Sequence, residues 1–175
     1  MSDTLITIIA IFLAAVLMFV FPLMAVSSNQ EDVTQLAVTE ATQEFVNKAA
    51  TKGKITQEDY DAYVQTLGAT GNTYDIKLEV QHLDENPGKK TSTTSGDMIG
   101  ENVRYSTFTD EILKSFNDNG NGKYSLSKGD NVIVTVNNTN TTLAQLLRNF
   151  MYKVTGSDTY QIGASASALV VSNGK

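Results

Sequence analysis

The sequence has no cysteine, no tryptophan, one histidine and two prolines, and no lysine or arginine before Lys48. Without cysteine there is no disulfide framework, no thiolate nucleophile and no cysteine-based zinc site. A single histidine also leaves a zinc or blue-copper centre short of its usual ligands. Basic residues number 13 against 19 acidic ones, a net charge of −6. No basic stripe is formed, which argues against nucleic acid as a partner. No Gly-rich phosphate loop and no Gly-x-Ser-x-Gly elbow occurs. Cofactors and metals are therefore not expected.

What is present is one unbroken apolar run, Leu5 to Val26, free of Lys, Arg, Asp, Glu, Asn and Gln. As a helix rising about 1.5 Å per residue it reaches roughly 33 Å, enough for a bilayer core of about 30 Å. No second run of that kind follows. A cleaved secretory signal is the rival reading, because Ala25-Val26-Ser27 is a small-x-small triplet. Such signals usually carry about 7–15 apolar residues behind a positive segment. This run is longer and Met-Ser-Asp-Thr precedes it, so a retained anchor is expected. Pro22 near its outer end is tolerable where neighbours or water satisfy the freed carbonyl. With no flanking Lys or Arg, the positive-inside bias says nothing about orientation. The Cys-free, Thr/Asn/Ser/Gly-rich remainder suits a bacterial domain facing outward. The expected division is 1–26 transmembrane anchor, 27–54 helical extension and 55–175 extracytoplasmic head, one domain able to bury its own core.

Beyond the run, Val33, Ala37, Ala41 and Phe45 recur at i+4 with Leu36 and Ala49 beside them. That spacing continues the helix to about Lys52 with one face for the head. Thr56 followed by Asp59 forms a capping box, and Ile55 can close on Tyr60 as a staple. Tyr60, Tyr63, Val64 and Leu67 then share a helical face that Gly68 or Gly71 ends. Tyr74, Ile76, Leu78 and Val80 alternate with polar residues as a half-buried strand. Residues 84–102 read as a long loop, a length that is often functional. Phe108, Ile112, Leu113 and Phe116 indicate a short helix, Tyr124 to Leu126 a brief strand, and Gly129-Asp130 a turn. Val132 to Val136 is a strong strand, apolar on both faces at its centre. A polar turn, Asn137 to Thr142, can cap an amphipathic helix of Leu143, Leu146, Leu147, Phe150 and Val154. A last strand, Tyr160 to Val171, carries small side chains that let a helix approach closely. The expected fold is α+β, a long N-terminal helix on a small antiparallel sheet with short helices.

Chemistry-bearing patterns have simpler readings. Asn117 to Gly122 begins like a calcium loop, but Asn fills the first, third and fifth positions and Lys128 the twelfth, so a turn is expected. His82 falls in register with the apolar face of its strand and reads as a packing or capping residue. Asp59, Asp61, Asp84-Glu85 and Asp110-Glu111 read as caps and solvated faces, not a glycosidase pair. The sequons at Asn137 and Asn140 read as turn residues.

The succession Lys52-Gly53-Lys54-Ile55-Thr56, Asp59-Tyr60-Asp61-Ala62-Tyr63, Thr70-Gly71, Tyr74-Asp75-Ile76, Tyr124-Ser125-Leu126, Gly129-Asp130, Val132 to Asn138 and a closing Asn173-Gly174-Lys175 covers most of the chain. In that order, behind a membrane helix, it resembles the TadE-like, pilin-related (pseudopilin) proteins of tight-adherence and type IV-related pili in Gram-positive bacteria. The resemblance implies a small pilin-like subunit whose N-terminal helix anchors in the membrane and packs against other subunits. There is no basic leader, no Gly before the run and no acidic residue inside it, so a minor or assembly component fits better than an abundant processed fibre subunit. The expected function is structural, not enzymatic. Ala10, Ala14, Ala15 and Ala25 are the close-approach positions in the bilayer, and Thr56 and Asp59 form the helix cap. Expected partners are the lipid bilayer and copies of itself or related subunits, in a single-pass cell-membrane location or a surface filament. An anchored binding or sensing domain using the 84–102 loop is the alternative, and a cell-surface hydrolase a more distant one.

Overall fold

The computed structural model describes residues 2–83, 104–118, 122–155 and 161–174. The loop expected at 84–102 and the Tyr160 end of the last strand lie outside them. In chain order the elements are α1 (Ser2–Lys52), β1 (Lys54–Thr56), α2 (Gln57–Gly68), β2 (Tyr74–Leu83), β3 (Arg104–Phe108), α3 (Thr109–Asp118), β4 (Lys123–Ser125), β5 (Asn131–Asn138), α4 (Leu143–Thr155) and β6 (Gly163–Leu169). The fold is α+β: a long N-terminal helix packed on two small antiparallel sheets with short helices.

α1 runs unbroken through Pro22 to Lys52. It stops where Gly53 adopts φ +66° and donates its N–H to the Ala49 carbonyl at 2.9 Å. Glycine is required there twice over, because a Cβ would also collide with the backbone of Ser172 and Gly174 in the C-terminal segment. The outer half of α1 buries Ser27, Glu31, Thr34, Val38, Thr42, Phe45, Val46 and Ala49. Phe45 and Ala49 of the expected face are in this stripe, but nearer the N-terminus it is turned by one residue, roughly 100°, with Thr34, Val38 and Thr42 buried in place of Val33, Ala37 and Ala41. Val33 is 69% exposed and Leu36 59%. Two polar members of the stripe, Glu31 and Thr42, find partners in the head where a valine would only be covered. Thr42 Oγ1, for example, donates to the Val38 carbonyl at 2.6 Å and shares a hydrogen bond with the Tyr63 hydroxyl at 2.9 Å.

The larger sheet has strand order β3-β2-β5-β6. Its core face is built from opposed pairs, Ile76 with Val136, Leu78 with Val134 and Val80 with Val132, continued by Val134 with Ala166. β6 buries Ala166, and the residues flanking it, Ile162 and Val170, are buried on the same side, as the alternation predicts. Its core-facing alanines, Ala164, Ala166 and Ala168, are small, and α1 packs along the strand. Gln35 Nε2 donates to the Gly163 carbonyl (2.6 Å) while Gly163 N–H donates to Gln35 Oε1 (3.0 Å). One side-chain amide thus takes the place of a neighbouring strand on the open edge of β6. Further up, Val171 N–H donates to the Ala50 carbonyl at 3.2 Å.

β3 is a correction to the sequence reading. Phe108, expected in a helix, closes β3 opposite Glu79 and is 59% exposed. The ladder ends there because Thr109 turns away into α3, its hydroxyl accepting from Leu78 N–H at 2.8 Å and donating to Leu78 O at 3.3 Å. α3 then buries Ile112 and Phe116. Ile55 and Tyr124 pair in the small β1–β4 sheet, a long-range ladder that local patterning did not predict. On α2, Tyr63 and Leu67 are buried, but Val64, expected on the same face, is 40% exposed.

α4 differs most. Of its expected apolar face, Leu143 is 57% and Leu146 56% exposed. The buried residues are Ala144 and Gln145 instead. The side chains of Phe150 and Val154 lie outside the description.

Candidate functional site

Among the described residues, one helix is long and apolar enough to span a membrane, and it is the N-terminal one. Within it Ala10, Ala14, Ala15 and Ala25 are all exposed, with no part of the head over them. The bare segment ends abruptly at Ser27, the first buried residue of the helix.

From Ser27 onward the head forms a polar collar around α1. Glu31 is 5% exposed and faces α4. Thr142 Oγ1 donates to Glu31 Oε1, and the Arg148 guanidinium pairs with Glu31 Oε2. A carboxylate at this depth is stable only when paired and hydrogen-bonded, so α4 turns Arg148 inward and its leucines outward. The N-terminus of α4 is closed by a reciprocal capping box: Gln145 N–H donates to Thr142 Oγ1 at 3.2 Å, and Thr142 N–H to Gln145 Oε1 at 3.1 Å. A cavity of about 310 Å³ opens beside this collar, lined by Ser27, Gln30, Thr34, Asn72, Thr142 and Leu143 among others. The turn entering α4 is tied by Asn140, whose Oδ1 accepts from Thr73 N–H at 2.8 Å and whose Nδ2 donates to Asn72 Oδ1 at 3.0 Å.

At the far end of α1 the predicted cap is used differently. Thr56 Oγ1 accepts from Asp59 N–H at 3.1 Å. The Asp59 carboxylate, however, binds Lys48 at 2.7 Å and Lys52 at 2.9 Å across the α1–α2 junction. Burial works against its charge, but hydrogen bonds from Lys48, Lys52 and Thr56 outweigh that and hold the carboxyl at about 2. Asp59 is therefore a clasp between two helices as well as part of a cap.

His82 joins a part-buried chain of polar groups. Nδ1 lies 2.7 Å from Asp130 Oδ2 and Nε2 lies 2.6 Å from the Tyr124 hydroxyl. Asp130 is 2% exposed and also accepts from Ser127 N–H at 2.8 Å and Leu83 N–H at 3.3 Å. An Asp–His–hydroxyl chain has the makings of an activated nucleophile. Burial instead pushes the Tyr124 hydroxyl up, the opposite of activation. What this arrangement does is tie β2, β4 and the turn before β5 together.

Among the described residues, no group of three His, Asp or Glu side chains is placed to hold a metal. Asn117 and Asp118 belong to the end of α3, and Lys128 lies in a turn with its N–H on Asn173 Oδ1 at 2.7 Å. Residues 119–121 of the calcium-like pattern lie outside the description.

Sequence reasoning missed the Glu31–Arg148 pair and the Gln35 clasp. Their signal is Ser27, Glu31, Thr34, Thr42 recurring at helical spacing, a polar stripe that reads as solvent-facing until partners are known. The Thr-x-x-Gln box at 142–145 was readable locally. Compared with known proteins, the chain has no significant match to a family model, a curated protein or a solved structure.

Proposed function

We propose that the chain is a membrane-anchored, pilin-like structural or assembly subunit, non-catalytic, with its head outside the cytoplasm. The observation that carries this reading is α1, one helix with a bare apolar first half and a second half that is the spine of the head. A head built on a rigid continuation of its anchor takes its position from how the anchors pack. Ala10, Ala14, Ala15 and Ala25 supply small surfaces for that packing, since in lipid close backbone approach, not apolar burial, holds helices together. The resemblance of its motif order to TadE-like proteins supports the same reading. The partners are the bilayer and other subunits, related ones or copies of itself.

The test exploits the absence of cysteine. Ala10→Cys, Ala14→Cys and Ala25→Cys chains, oxidised in native membranes, are expected to give crosslinked dimers or adducts with a small membrane protein. A chain that stays in the membrane fraction but crosslinks at none of these positions would sink the subunit reading. A soluble product beginning near Ser28 would remove the anchor itself.

A further inference from the structure

We infer that α4 is an interfacial helix, its leucine face seated in the headgroup layer of the bilayer that α1 crosses; the inference rests on the anchor reading. Four observations converge. First, Leu143 and Leu146, at i and i+3, are each more than half exposed, while the polar Gln145 and the apolar Ala144 are buried. A helix that hides a glutamine and shows its leucines has its apolar side toward something other than the head. Second, its height is set. Leu143 and Ala144 line the same cavity as Ser27 and Gln30, and Ser27 directly follows Val26, the last residue of the apolar run. Glu31, which holds Thr142 and Arg148, lies only about 6 Å further along α1 at 1.5 Å per residue. Interfacial helices sink roughly 5–10 Å into the headgroup and acyl boundary, so the leucines stand within reach of it. Third, α4 contains no Asp or Glu, in a chain of net charge −6, so no carboxylate on the helix opposes an anionic lipid surface. Fourth, the buried Glu31–Arg148 pair fixes α4 to the anchor helix, so that its depth follows α1.

The head would then touch the membrane twice, through α1 and through α4. The two contacts together set its tilt, which a single spanning helix leaves free to rotate. A second copy of the chain is the competing occupant for the leucine face.

Single-cysteine chains Leu143→Cys and Leu146→Cys carry a fluorophore, with the full chain reconstituted in vesicles containing phosphatidylglycerol. Phe12→Cys reports the anchor, and Val171→Cys is the control. Val171 is as exposed as the leucines at 62% but lies beside Ala50, about 35 Å up the helix from Ser27. Quenching by lipid bearing a nitroxide near its headgroup is expected to be several-fold stronger at 143 and 146 than at 171, with iodide from the water reaching 143 and 146 less. Labels at 143 and 146 that behave like 171 overturn the inference. So do labels shielded from lipid and iodide alike, which would place a second copy on the face. A Phe12 label unreached by a second lipid that bears its nitroxide on the acyl chain marks failure of the anchor reading itself, a separate result from failure at α4 with Phe12 in lipid.

Discussion

The Asp59 carboxylate lies between Lys48 and Lys52 of one helix while its own backbone N–H begins the next. Its folded pKa, about 2, is below the roughly 3.9 of an unfolded aspartate. The sign follows directly: the unfolded state takes up the proton first, so the stabilisation is fully present above about pH 4 and is lost as pH falls toward 2. Asp59→Asn is expected to cost about 1 kcal/mol near neutrality, the scale of a partly exposed ion pair, and to flatten the pH dependence between 4 and 2. Urea unfolding of the detergent-solubilised chain across that range measures both. Two threonines offer a comparison at the same scale. Thr56→Ala removes one cap and should cost about 0.5–2 kcal/mol, with Thr56→Ser nearly neutral. Thr142→Ala removes a cap and also a donor to the buried Glu31, so it should cost about 1–3 kcal/mol more. Equal costs for the two alanine variants would mean that Glu31 does not depend on Thr142.

Helix faces and strand edges were legible to different degrees. β2 follows its alternation because a sheet face is chosen by parity alone, and β5, apolar on both faces at its centre, takes its buried side from its register with β2, Val134 opposite Leu78 and Val132 opposite Val80. The face of α1 is less determined. Val33 and Leu36 are better apolar residues than Thr34 and Thr42, yet the head covers the threonines. Leu36→Ser is therefore expected to change stability by no more than about 0.5 kcal/mol. Phe45→Ala, by contrast, removes a ring stacked on Tyr63 at 4.6 Å and should cost about 3–5 kcal/mol. Equal effects in the same unfolding measurement would put the stripe back where apolar spacing alone places it.

At the scale of the whole molecule, α1 is at once a bare apolar helix long enough to span a membrane, a core element and an edge cover. It meets β6 along its length, with Gln35 holding Gly163 at one end and Ala50 holding Val171 at the other. A chain shortened to begin at residue 55 loses that cover and exposes Val132, Val134 and Ala166 beside an unpaired strand edge. Such a chain is expected to associate or precipitate during size-exclusion chromatography, while a chain beginning at residue 27 should elute as a discrete species. A monomeric 55–175 fragment would show that the sheet stands without its helix.

The long apolar N-terminal helix, the α+β class, the Thr56 cap and the buried side of β2 and β6 follow from the amino-acid order itself, because each depends on contacts within a few residues or on a period of fixed length. The rotation of α1, the outward leucines of α4, the β3 and β1–β4 pairings and the His82–Asp130–Tyr124 chain do not. Each joins residues far apart in the chain: Glu31 with Arg148, Gln35 with Gly163, Ile55 with Tyr124, Leu78 with Thr109. A polar side chain can be buried only where a distant partner satisfies it, and no local pattern records which partner the folded chain brings to it.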